Sequence, residues 1–89
     1  MKIKNGYELI FKSGQYIVTY NGVDSVSLNN SIILADTAVF LWNLLKEKDV
    51  TKTEMLGALI ENFEISTVLA LGDIDVFVRT MKENGIIEE

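Results

Sequence analysis

Hydrophobic and polar positions change their rhythm once along this chain. From Tyr7 to about Leu34 they alternate in twos, and from Asp36 onward apolar residues recur every three to four positions. In the first stretch Tyr7, Leu9 and Phe11 alternate with Glu8, Ile10 and Lys12. Ser13-Gly14 is a turn signal, and Gln15–Tyr20 is rich in β-branched and aromatic residues, which suit a pleated strand. Asn21-Gly22 predicts a tight hairpin, because both residues accept the positive φ that such turns need. Val23–Leu28 reads as a third extended stretch, Asn29-Asn30 as a turn, and Ser31–Leu34 as a last short strand.

The second stretch predicts three helices. Asp36 stands where an N-cap belongs, before a stripe of Ala38, Leu41, Trp42 and Leu45 at i, i+3, i+4 and i+7. Lys46 and Lys48 fall near the end of that helix, where its dipole favours cations. Thr51-Lys52-Thr53-Glu54 has the spacing of a capping box, and Leu56, Leu59, Ile60 and Phe63 form the stripe that follows it. Ser66 opens the third helix, with Ile74, Phe77, Val78 and Met81 on its stripe and Gly85 as a left-handed stop. Gly72 inside it costs about 1 kcal/mol relative to Ala, which predicts a loose first turn. Ile86-Ile87, beyond the stop, are comfortable only if they pack back on the domain. The predicted class is α+β: a small antiparallel sheet of three to four strands followed by three helices, winged-helix-like, in a single domain spanning 1–89.

Composition narrows the function more than the fold. The 89 residues are 48% hydrophobic and 24% charged, which suits a packed core and neither a disordered chain nor a membrane protein. No apolar run reaches membrane-spanning length, and Met1–Glu8 has no signal-peptide core, so the expected location is cytoplasmic. There is no Cys and no His, which removes disulfides, the usual zinc ligands, and Ser–His or Cys–His catalysis. Neither a GxGxxG nor a GxxxxGK[ST] loop occurs. Asp73 and Asp75, two apart on a helix, point in different directions and read as solvated acids, and Trp42 reads as core. An enzyme, a metal site and a bound cofactor are therefore not expected.

Charge argues against nucleic acid. Residues 36–89 carry five bases against eleven acids, a net −6, whereas residues 1–35 sum to +1. A DNA-reading third helix would present Arg, Lys, Asn or Gln, yet its outward positions are Asp73, Asp75, Val76, Arg79, Thr80, Lys82 and Glu83. What remains is protein or peptide binding. Val76 is apolar but lies off the main stripe, and Ser31-Ile32-Ile33-Leu34 has neither charge nor proline to block an edge. An open edge beside an apolar helix face is what a peptide needs to add as a strand. It also offers a route to homodimers.

The run Leu34-Ala35-Asp36-Thr37-Ala38-Val39-Phe40-Leu41-Trp42-Asn43-Leu44-Leu45 resembles the signature of the pyrroloquinoline-quinone biosynthesis protein D (PqqD) family. The resemblance continues through Asp49-Val50-Thr51 and through Asp73-Ile74, Phe77-Val78, Met81 and Gly85-Ile86-Ile87, covering about Tyr7 to Ile87. Ala35 departs from the family's usual Asn, and Asp36 replaces its usual Glu. The resemblance implies a non-catalytic recognition element that binds the leader of a ribosomally made precursor peptide. Such elements present the leader to a modifying enzyme, often a radical SAM enzyme. It also implies where the leader goes: antiparallel to Ser31, Ile32, Ile33 and Leu34, against a groove formed by Asp75, Val76, Arg79 and Thr80. The alternative is a winged-helix protein-interaction or regulatory module, with DNA binding the weaker variant of it.

Overall fold

The computed structural model describes residues 1–20, 23–24, 32–34 and 36–88. Asn21-Gly22, the Asn29-Asn30 turn, the rest of the third extended stretch and Ser31 lie outside the described residues. Strand β2 (Tyr7–Lys12) pairs antiparallel with β3 (Gln15–Tyr20) along its whole length, from Tyr7↔Tyr20 to Lys12↔Gln15. Their two-residue loop has φ of 53° at Ser13 and 78° at Gly14, so both residues are left-handed, as the twist of a tight hairpin requires. The other side of β3 carries two short strands. At one end Tyr20 pairs with Val23 of β4 (Val23–Asp24), and at the other Tyr16 and Ile17 pair with Leu34 and Ile33 of β5 (Ile33–Leu34).

Alternation gives this sheet a face toward the helices. Leu9, Val18 and Leu34 lie on it and pack with the stripes of α1 (Thr37–Glu47), α2 (Lys52–Asn62) and α3 (Thr67–Glu83). Leu41, Trp42 and Leu45 of α1 are buried against Ile74, Phe77, Val78 and Met81 of α3, as the helical spacing predicts. Burial of this much aliphatic and aromatic surface is the main term holding so small a core. Phe40 and Phe63 meet edge-to-face with centroids 5.4 Å apart, joining α1 to the end of α2.

The helix boundaries follow local chemistry. Thr51 and Glu54 form both bonds of the capping box, each 3.1 Å. Ser66 Oγ accepts from Leu69 N–H at 3.2 Å. Gly85, with φ 69°, ends α3 in a Schellman motif: Gly85 N–H donates to Lys82 O and Ile86 N–H to Met81 O. Despite Gly72, α3 is continuous from Thr67 to Glu83.

Three features differ from expectation. Asp36 holds the N-cap position of α1, but its φ of 47° departs from the extended backbone of a capping residue and it makes no capping bond. On α2 the buried stripe is Met55 and Leu59, while Ile60 is exposed. The third is an extra two-stranded ribbon: β1 (Lys2–Ile3) pairs antiparallel with β6 (Ile87–Glu88), which buries Ile3, Ile86 and Ile87. The Met1 amine adds bonds to Asp49 Oδ1 at 2.5 Å and to Val50 O at 2.7 Å.

Candidate functional site

Strand β5 is where backbone chemistry is left unspent. Val18 N–H donates to Ile32 O at 3.0 Å, which fixes the phase of the ladder. In an antiparallel pair the residues that bond across alternate with residues whose N–H and C=O point away. Ile32 and Leu34 therefore face β3, and Ile33, opposite Ile17, directs its N–H and C=O outward. Among the described residues β5 pairs with β3 alone, so this donor and acceptor form an open edge.

The edge of β2 is different. The same phase turns the carbonyl of Tyr7 outward, and there Lys46 Nζ donates to it at 2.8 Å while also bonding Glu8 Oε1 at 3.1 Å. A lysine laid on a sheet edge disfavours strand addition, since its charge would have to be desolvated. Between β2 and β5, the Lys46 charge weighs against addition at the Tyr7 end of β2, and β5 carries no such charge beside Ile33.

A groove of about 260 Å³ runs beside β5. Ile32, Ile33 and Leu34 form one side, Asp73, Val76 and Thr80 of α3 the other, and Thr37 and Ala38 close the end at the first turn of α1. Phe77 and Met81 make an apolar floor. Val76 is 56% exposed, so an aliphatic side chain stands in solvent on the wall. Asp73 is partly buried rather than solvated, and Thr37 Oγ1 donates to its Oδ2 at 3.0 Å. A second hollow, of about 350 Å³, is rimmed by Lys2, Lys48, Asp49 and Glu88 near the terminal ribbon, and its charged rim contrasts with the apolar floor of the groove beside β5.

The predicted site residues divide accordingly. Ile32, Ile33, Leu34, Val76 and Thr80 come together at the groove. Asp75 and Arg79 are exposed and do not line it, and Lys52 Nζ holds Asp75 Oδ1 at 3.2 Å. Ser31 lies outside the described residues. Asp73, Thr37 and Ala38 line the groove without having been singled out for it. The only sequence signal for Asp73 is its i−3 spacing from Val76, which puts both on one face of α3. Among the described residues no helix is long and apolar enough to cross a membrane, and no group of three or more carboxylates is placed to hold a metal ion.

A small antiparallel sheet with a groove between one short edge strand and the third helix defines an α+β fold. The family pattern of coenzyme PQQ synthesis protein D (PqqD) matches residues 18–87, and the chain belongs to that family. Among curated proteins none matches it in sequence. One solved structure with the same fold is that of TbiB1 in complex with the TbiA(beta) leader peptide. It is 16% identical, with a TM-score of 0.70, covering 99% of this chain and 95% of that one.

Proposed function

We propose that this protein is a non-catalytic recognition module for the leader of a ribosomally made precursor peptide. The leader adds as an antiparallel strand to β5, its side chains enter the groove against α3, and the bound precursor is presented to a modifying enzyme, of the radical SAM class in the reading the family favours. The whole chain serves as one peptide-recognition domain in the cytoplasm. The observation that carries this reading is the outward N–H and C=O of Ile33 beside a groove walled by Val76. Membership of the PqqD family and the likeness to TbiB1, solved with a leader peptide, support it.

Strand addition supplies affinity through main-chain hydrogen bonds and specificity through the pockets that alternate side chains meet. The groove gives α3 that second role, with an apolar floor for burial and Asp73 and Thr80 as polar markers. The test is a titration by fluorescence anisotropy with labelled leader peptides from precursor genes adjacent to the gene for this chain. Saturable binding by one leader, lost when its segment is shuffled, is the expected result. If no adjacent leader binds, or the shuffled peptide binds equally well, the reading fails.

A further inference from the structure

We propose that the bound peptide is read on both faces of its added strand, and that its residue in register with Ile33 is an aliphatic side chain extending a row of isoleucines on the sheet face turned away from the helices. The inference rests on the strand-addition reading above. Ile10 pairs with Ile17, and Ile17 pairs with Ile33, so three isoleucines stand side by side across three strands. Strand alternation puts them on the face opposite Leu9, Val18 and Leu34, which pack on the helices.

Exposure along the row shows where it is incomplete. Ile17, in the middle, is 8% exposed, whereas Ile10 is 37% and Ile33 49% exposed. Ile17 and Ile33 form a pair that does not exchange ladder hydrogen bonds, the geometry in which opposed side chains approach most closely. On the β2 side, Lys46 bonds the Tyr7 carbonyl, three residues before Ile10. At the Ile33 end the described residues leave the backbone open to a further strand.

Register then dictates the chemistry of the occupant. Whatever the direction of the added strand, the residue opposite Ile33 puts its side chain on the face Ile33 occupies. There it meets the exposed half of an isoleucine, and cross-strand pairing favours an aliphatic, β-branched partner such as Val or Ile. Its two neighbours in the peptide point the other way, toward Val76 and Thr80. A peptide read by the groove alone would show apolar residues at every second position. One read on both faces shows three consecutive apolar positions, the pattern of a strand buried on both sides.

A surface-display library of short random peptides, sorted on the wild-type protein, Ile33→Thr and Val76→Asp, separates these cases. Threonine keeps the β-branch and the backbone donor of Ile33, so the strand itself survives. The wild type is expected to enrich a run of three apolar positions. Ile33→Thr should lose the preference at the middle position and bind the enriched peptides about fivefold more weakly. With alanine at that middle position, the two proteins should bind alike. Val76→Asp should lose the preference at the outer two. If Ile33→Thr enriches the same run with unchanged affinity while Val76→Asp does not, the isoleucine row is not read and strand addition stands. If nothing is enriched, or enriched peptides bind Ile33→Pro and Val76→Asp as tightly as wild type, strand addition itself fails and the inference falls with it.

Discussion

Thr37 Oγ1 donates a 3.0 Å hydrogen bond to Asp73 Oδ2, tying the first turn of α1 to α3 at the end of the groove. The two residues are 36 apart in sequence, and the bond fixes the distance between the helix that follows β5 and the helix that faces it. Asp36, immediately before, makes no capping bond, and the Thr37 hydroxyl supplies a polar tie to α3 beside the ring contact of Phe40 with Phe63. Thr37→Val removes the donor and leaves Asp73 partly buried without it. A bond to a carboxylate in this setting contributes about 1 kcal/mol, and Thr37→Val is expected to lose roughly that much in urea unfolding. In a double-mutant cycle with Asp73→Ala, which removes the acceptor, most of the loss should appear as coupling. Independent, additive effects would mean that the bond does not hold the helices.

Trp42 is the largest fully buried side chain, 1% exposed at the centre of the helical core. Trp42→Ala is expected to cost roughly 3–5 kcal/mol, most of the stability of a domain this small. Chemical denaturation should show a midpoint shifted strongly toward zero denaturant. A melting temperature lowered by only a degree or two would contradict the packing described.

Asp49 supplies a pH signature. Its hydrogen bond to the Met1 amine, reinforced by the charge of that amine, holds the Asp49 carboxyl below its ordinary value of 3.8. The folded state thus binds a proton here less readily than the unfolded chain. The stabilisation is fully present above the unfolded value and is lost as pH falls through the lower folded one. Asp49→Asn should therefore be less stable than the wild type at pH 7, and the difference should shrink as pH falls below about 4. Melting curves from pH 2 to 7 would check this. Parallel curves for the two proteins would contradict the pairing.

Nucleic acid is expected not to compete for this protein. With a net −6 on residues 36–89, fluorescence anisotropy at physiological salt should show no sequence-selective DNA binding. Sub-micromolar, sequence-selective affinity would contradict the peptide-binding account.

Much of the fold was legible because its signals are local. Ser13-Gly14, the Thr51–Glu54 capping box, Ser66 and Gly85 each act within a few residues, and each sits where its chemistry predicts. What was missed depends on partners distant in sequence. Lys2–Ile3 carries no strand signal by itself and becomes a strand only because Ile87–Glu88 lies beside it. On α2 the period of 3.6 allows two adjacent stripes, and packing on α3 selects Met55 and Leu59 over Ile60. At the site, spacing brought Val76 and Thr80 to one face of α3. It could not tell which residue of β5 turns its backbone outward, since that phase is set by Val18 on another strand. Nor could it show Asp75 drawn toward Lys52, 23 residues away.

Of the charged residues near the groove, Arg79 is expected to matter least. It is exposed and does not line the groove, so Arg79→Ala should weaken leader binding by about 1 kcal/mol or less. A loss above about 2 kcal/mol would mean that Arg79 holds a desolvated carboxylate of the peptide, and titration at two salt concentrations would reveal it.

Strand addition at Ile33 is the central claim, and leader affinity in Ile33→Pro and Val76→Asp tests it most directly. The N–H of Ile33 points away from β3, so proline there removes a donor for the peptide and no ladder bond of the fold. Val76→Asp puts on the wall a charge that peptide binding must desolvate, at a cost of several kcal/mol. Both variants should melt cooperatively near the wild-type temperature, with leader affinity reduced about tenfold or more in Ile33→Pro and roughly a hundredfold in Val76→Asp. Unchanged leader affinity in both folded variants would place the peptide elsewhere and contradict the account.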